Sequence, residues 1–362
     1  MNIVNKHINQ LDVFRGLAAL SVCAVHFTYD SFFHNYFAQG LFVQLFFTLS
    51  GFVIAYNYHD TLKNFKDFSQ FTIKRFKRLY PLHLFFLFLF LSIEILKYFL
   101  KFKYEININN QPFETNNLKN FFLNLFFIQH FANEYNFNSP SWSISVEMML
   151  YLCFGVMLLV IIKKSLLSYL YFFYVVFFII FLNKSYGSTL SISAFYSGLY
   201  SFSIGYLFFL LFKKKNINRY LEGKLYFDIV FYAFILLFLF ELFYFNFIKQ
   251  SYIYSLLFGI VFFSSCFLNK NFFLFKIFFN GFFIFLGKIS YSIYMSHLLI
   301  FFLFDNVLKH LIKFQTKINS SGNVVVDLNF FEANFFTLLI YIFTIVFSKF
   351  TYKNVEMRFY KK

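Results

Sequence analysis

The sequence predicts an all-α integral membrane protein of about ten transmembrane helices, and three observations carry that expectation. Of 362 residues, 60% are hydrophobic and only 13% charged, and the mean hydropathy is +0.63, outside the range of ordinary soluble domains. Apolar runs long enough to cross a bilayer recur along the whole chain. Lys and Arg crowd alternate segments between those runs, on the side that holds both termini, which the positive-inside rule makes cytoplasmic.

Taken in order, the expected spans lie near 11–29, 41–57, 79–100, 141–162, 166–183, 189–212, 226–247, 251–268, 281–304 and 333–350. The run at 118–131 is too short to cross untilted and is expected to be re-entrant or interfacial. The segments between spans are short or polar, so residues 1–362 form one membrane-embedded domain with no soluble domain. The first run contains an Asp and an Arg and lacks a small-residue cleavage site, unlike a secretory signal. Cys23, Cys153 and Cys266 all fall inside apolar runs, which speaks against a disulfide framework or a zinc site. The formal net charge of +16 resolves largely into topology and predicts no nucleic-acid partner. The 69 Phe residues reflect nucleotide composition rather than a base-stacking surface.

The chain is organised around Leu11–Phe27, an apolar segment that nonetheless carries Asp12, Arg15 and His26. Ionisable side chains in a membrane helix are costly and normally face a polar interior. Arg15 and His26 are 11 positions apart, three helical turns, so they share a face about 16 Å apart along the axis. Ala18, Ala19 and Val22 keep that face small. Asp12 precedes Arg15 by three residues, within reach of an intrahelical ion pair. That pairing explains Arg15 as a neutralised cation but leaves His26 unexplained.

Four further constellations stand out. Ser50-Gly51, in FFTLSGFVIAY, is a small pair expected to let a neighbouring helix approach. Lys74, Arg75, Lys77 and Arg78 crowd the start of the third span, with Arg75 and Arg78 on one side of a helix. Such a cluster anchors lipid headgroups, and its arginine forks also suit a cofactor carrying several phosphates. In SPSWSISVEMMLYL, Trp142 reads as an interfacial belt residue, with Ser141 and Ser145 beside it. Glu147 lies about two turns into the span and needs a partner or a proton. In GKISYSIYMSHLL, Ser290, Tyr294 and His297 step by four and three into one polar stripe, which either ties helices together or lines a substrate path. The remaining histidines, among them His34, His59, His83, His130 and His310, are read as solvated or interfacial, and no metal-site spacing occurs among them.

In this order the motifs resemble the membrane acyltransferase family 3, bacterial O-acyltransferases of surface glycans. They are Asp12 and Arg15-x10-His26, FFTLSGF, Arg75-x2-Arg78-x2-Pro81, SWSISVE and SYSIYMSH. The resemblance runs from about Leu11 to Phe359. His83 departs from the aromatic residue common after the proline, and Val355-Glu356-Met357 replaces the usual E-x-P pattern. A fused SGNH domain is not expected. The resemblance implies an acyl-CoA donor, usually acetyl-CoA, and a sugar hydroxyl of a lipopolysaccharide O-antigen, capsule or exopolysaccharide as acceptor. The acceptor would be a glycan or lipid-linked saccharide, and other glycan-assembly proteins are potential partners. Location in the bacterial inner membrane follows from the same resemblance.

By this reading His26 is the candidate general base, with Arg15, Glu147 and Asp12 beside it in the catalytic set. Arg75, Arg78 and Lys74 would hold the donor, and Trp142, Ser145, Tyr294 and His297 the acceptor. Direct transfer and an acyl-enzyme on His26 or a serine both remain open. A transporter or flippase using the same residues as a proton relay is the rival class. A purely structural subunit of a glycan machine gives no reason for Arg15 and His26.

Overall fold

The computed structural model describes residues 8–37, 41–105, 111–132, 136–161, 174, 178, 190–213, 225–244, 251–271, 273–318 and 324–360. The N-terminal half of the described chain is built from α1 (Asn9–His26), α2 (Phe32–Phe37), α3 (Leu41–Tyr58), α4 (Phe65–Tyr104), α5 (Leu118–Leu125) and α6 (Trp142–Ile161). There follow α7 (Leu190–Lys213), α8 (Leu225–Tyr244), α9 (Ser251–Ser265), α10 (Phe273–Phe278) and α11 (Gly281–Lys288). The last part holds α12 (Ser290–Asn306), a hairpin of β1 (Thr316–Ile318) and β2 (Val324–Val326), α13 (Phe330–Thr351) and α14 (Met357–Tyr360). The hairpin is antiparallel, with Lys317 opposite Val325.

The polarity of the bundle is inverted relative to a water-soluble protein. On α13, Phe331, Phe335, Leu338, Ile342 and Val346 are exposed, whereas Thr337, Thr344 and Ser348 are buried. Steps of three and four residues put the five apolar side chains on one stripe. An outward stripe of this size is stable against lipid, not water. The same inversion appears on α5, where Leu118 and Phe122 face out and Asn120 and Asn124 are buried. The stretch 118–131, expected to be re-entrant or interfacial, forms a short helix followed by turns rather than a crossing.

Six stretches among the described residues are long and apolar enough to cross a membrane, against the expected ten or so. They are Leu41–Tyr58, Phe65–Tyr104, Ser139–Leu159, Ser193–Lys213, Ser290–Leu311 and Phe330–Phe359. The charged α1 is not among them, and the apolar stretches of α8 and α9, Leu225–Leu236 and Ile253–Ser265, are shorter. The expected span 166–183 lies outside the described residues apart from 174 and 178.

Two expected boundaries are corrected. The span expected from residue 79 belongs to a helix that begins at Phe65 and runs 40 residues through Pro81. At 1.5 Å per residue it is about 60 Å long, twice a bilayer core. Its start is fixed by Asn64, whose side chain accepts from the Asp67 amide at 3.0 Å, as an N-cap should. The charged stretch 74–78 continues the helix because Lys74 and Lys77 are exposed while Arg75 turns into the bundle. The single span expected over 281–304 is in fact broken at Ile289 into α11 and α12. Discontinuous helices, which hydropathy did not reveal, are therefore present here.

Glycines set the closest helix approaches. A Cβ on Gly287 would fall on the Asp12 carbonyl, and one on Gly16 would strike Gly287 and Leu286, so α1 and α11 touch backbone to backbone. A Cβ on Gly51 would meet the Phe202 carbonyl, and one on Gly205 the Thr48 carbonyl, which closes α3 on α7. Small residues permit such contacts in lipid. Gly205→Ala is expected to destabilise the protein by about 1–3 kcal/mol, since the Thr48 backbone cannot swing aside. Thermal unfolding in detergent checks this, and an unchanged Tm would show that the two helices slide freely.

Candidate active site

The break at Ile289 and the turn of Arg75 inward open a cavity among α1, α3, α4, α6 and α12. Its empty volume is about 740 Å³, part of it open to solvent. Arg15, Arg75 and Arg78 line it, together with Ser50, Ser143, Glu147, Tyr151, Ser290, Tyr291 and Tyr294. Three guanidinium groups thus share one wall system with a single lining carboxylate. That balance favours an anionic ligand, and guanidinium forks match phosphate oxygens.

Each wall residue is held in place. Arg75 is buried, donates from Nη2 to the Tyr58 hydroxyl at 3.2 Å, and lies over that ring at 5.3 Å. Its Nε has no partner, so one donor of the fork remains available. Glu147 accepts from Ser50 Oγ at 2.8 Å and from the Tyr151 hydroxyl, which supplies the partner the carboxylate requires. Ser50 is therefore a site residue, not merely a packing one. Its neighbour Gly51 does serve packing. Tyr291 donates to the Leu79 carbonyl at 2.7 Å, pinning α12 to the arginine-bearing helix.

A residue outside the expected set completes the arginine cluster. Glu356, in a π-helical turn at Tyr352–Glu356, is buried and accepts from Ser292 Oγ at 3.1 Å. It acts electrostatically on both Arg78 and Arg15, and Asp12 and Arg78 act on Arg15 as well. The C-terminal segment thereby brings a buried carboxyl group within electrostatic range of both arginines. Glu356→Gln is expected to cost about 1.5–3 kcal/mol, the range of a hydrogen bond to a charged group, because a neutral amide replaces the carboxyl group that accepts from Ser292 and faces Arg78 and Arg15. Ser292→Ala, which removes only a neutral donor, should cost about 1 kcal/mol. Equal Tm shifts for the two variants would contradict the charge role.

Beyond the arginines the wall becomes neutral. The Tyr294 hydroxyl donates to the Pro140 carbonyl at 2.9 Å and shares a 2.7 Å hydrogen bond with Ser143 Oγ. One turn on, His297 is fully buried, with Nδ1 3.3 Å from the Ile293 carbonyl and Nε2 unpartnered. Its ring centroid lies 5.1 Å from that of His26, which is half-buried at the end of α1. The two histidines therefore meet, although neither lines the cavity itself. Arg15 does line it, so α1 carries the site from the arginine end to the histidine end.

The remaining expected residues fall into place as follows. Trp142 is half-buried against His130, ring centroids 5.3 Å apart. Ser145 is buried with its hydroxyl unpartnered, away from the cavity. Lys74 is exposed on α4 and does not line the cavity. His83, expected to be solvated or interfacial, is instead buried in mid-helix, with Nε2 2.8 Å from the Asn124 carbonyl and its ring tilted against that of Phe127. The continuation of α4 through Pro81 explains that correction. Among the described residues no group of His, Cys, Asp and Glu side chains is arranged to hold a metal.

No curated protein and no solved structure matches the chain. The family model described as "Acyltransferase domain" matches residues 8–352. That match spans α1, which carries Arg15 and His26, the arginine pair of α4, Glu147 and the α12 stripe. With nearly its whole length matched, and with lipid-facing helices around a basic cavity, the chain belongs to this acyltransferase family and is a membrane acyltransferase.

Proposed function

We propose that the protein is an O-acyltransferase that moves an acyl group, acetyl in the simplest case, from acyl-CoA to a sugar hydroxyl of a surface glycan. The observation that carries this reading is one cavity whose arginine wall suits a polyphosphate donor and whose lining residue Tyr294 lies 6.0 Å, ring to ring, from His297 of the imidazole pair. Arg75 and Arg78 would bind the CoA phosphates, with Arg15 deeper on the same wall. Lys74, exposed on α4, would contribute charge rather than contact. The pantetheine arm would run from there toward Tyr294 and His26, a distance along α1 of about 16 Å.

A thioester is already activated, so the enzyme has mainly to deprotonate the hydroxyl and stabilise the oxyanion. His26 is the proposed general base. The acceptor oxygen attacks the thioester carbonyl as its proton passes to His26, forming the C–O bond. The tetrahedral oxyanion then collapses, the C–S bond breaks, and the CoA sulfur takes the proton back from His26. In an acyl-enzyme variant a protein nucleophile would first accept the acyl group. Arg15, Glu147 and Asp12 fix the electrostatics of the cavity, and Trp142, Ser145, Tyr294 and His297 stand on the acceptor side. In this reading the arginine end is cytoplasmic, both termini are inside, and the protein works in the bacterial inner membrane beside other glycan-assembly proteins.

Surface glycans from cells with the wild-type protein, without it, and with His26→Ala test the reading by mass spectrometry and NMR. A base-labile ester should vanish in the last two at normal protein level. A shortened or missing glycan with unchanged esters would point to export instead.

A further inference from the structure

The segment that leads into α6 contains several buried, unpaired polar atoms. Gln129, Asn138 and Ser141 are each at most 2% exposed. Gln129 Nε2 donates to the Ser141 carbonyl at 3.4 Å, the Ser141 amide to the Asn138 carbonyl at 2.8 Å, and Asn138 Nδ2 to the Met295 carbonyl at 2.8 Å. These bonds gather the three residues against one turn of α12. They also consume amide donors and leave Gln129 Oε1, Asn138 Oδ1 and Ser141 Oγ without partners. His297 Nε2, two residues beyond Met295, is unpartnered as well. A buried polar atom left unpaired costs about 1–3 kcal/mol, so a group of them in one segment offers hydrogen bonds to whatever can pair with them.

The chemistry of the set defines its ligand. Two carboxamide oxygens accept and a serine hydroxyl both donates and accepts, so the ligand must present hydrogen-bond donors. None of the three side chains is charged, so the ligand is neutral. Trp142 follows Ser141 directly and its ring lies half-buried against His130, the residue after Gln129. We propose that Gln129, Asn138 and Ser141, with His297, form the acceptor-side subsite and bind a neutral saccharide through its hydroxyls. None of these residues lines the arginine cavity. The two regions join where Tyr294 bonds Pro140 and Ser143. The assignment of this ligand as an acceptor rests on the acyl-transfer reading above.

The protein has one tryptophan, so Trp142 emission reports binding without any turnover. Full-length protein in nanodiscs would be titrated with maltotriose, mannotriose and triacetylchitotriose, and coenzyme A binding measured separately by calorimetry. At least one trisaccharide should shift the emission saturably, and Asn138→Leu and Gln129→Leu should weaken it at least about tenfold. Coenzyme A affinity should stay within about twofold. Ser141→Ala, which removes a hydroxyl that bonds nothing, should keep or raise the Tm while weakening saccharide binding. No saturable response, or equal binding by all variants, would overturn the subsite and assign these atoms to buried water. Saccharide binding without any acetyl-CoA consumption would sink the transfer reading and leave the subsite standing. Consumption with an unchanged acceptor KM in Asn138→Leu would do the reverse.

Discussion

Replacing His26 by alanine is expected to lower kcat for acyl transfer by about 10²–10⁴-fold, the usual contribution of a positioned general base. The fold should survive, because the side chain is only half-buried and its ring lies against another imidazole, that of His297. Donor binding should be unchanged, since His26 does not line the arginine cavity. The variant thus separates chemistry from binding, with kcat falling while the KM for acetyl-CoA stays level. His297→Ala tests whether the partner imidazole is itself required. A His26→Ala protein that turns over at the wild-type rate would remove His26 from the mechanism, whatever the family match implies.

The second large effect is expected at the arginine pair. Arg75→Lys keeps the charge but loses the planar fork, and with it the bond to Tyr58 and the free Nε. A charge-assisted hydrogen bond contributes about 1.5–3 kcal/mol, so KM for acetyl-CoA should rise by about 10–100-fold, with kcat less affected. Arg78→Lys should behave similarly, and the double variant should bind donor too weakly to saturate. Lys74→Ala, an exposed residue off the cavity, should change donor KM by less than about twofold. If Lys74→Ala proved as damaging as Arg75→Lys, the donor would have to lie along the outside of α4 instead.

Much of the site was legible in the sequence because charge in an apolar run is conspicuous. Arg15, Arg75, Arg78 and Glu147 all line one cavity, as residues that cannot face lipid must. Tyr294 follows from helical periodicity alone, and His297 from the same stripe. Other features depend on contacts that no local pattern records. The run 281–304 is apolar throughout, and the break at Ile289 accompanies the close approach of Gly287 to the Asp12 backbone. Pro81 and the basic stretch before it read as a boundary, yet a proline is tolerated within a membrane helix when neighbours compensate. Misplacing that boundary also misplaced His83.

Glu356 was missed as a site residue because Val355-Glu356-Met357 was noted only as a departure from the E-x-P pattern. Its isolation as a carboxylate among cations was the available signal. Ser50 was assigned to packing because Gly51 beside it accounts fully for a small pair. Only the carboxylate of Glu147 across the cavity separates their roles. The short hairpin of β1 and β2 was not expected, because the segment that holds it read only as a polar link between spans.

The most direct test uses the purified protein in sealed vesicles, with labelled acetyl-CoA on the side of the arginine cavity and a candidate surface glycan on the other. The account predicts labelled, base-labile ester on the glycan, release of free CoA thiol in equal amount, and loss of both in His26→Ala. Movement of the glycan across the membrane with no CoA released and no ester formed would contradict it and identify a transporter.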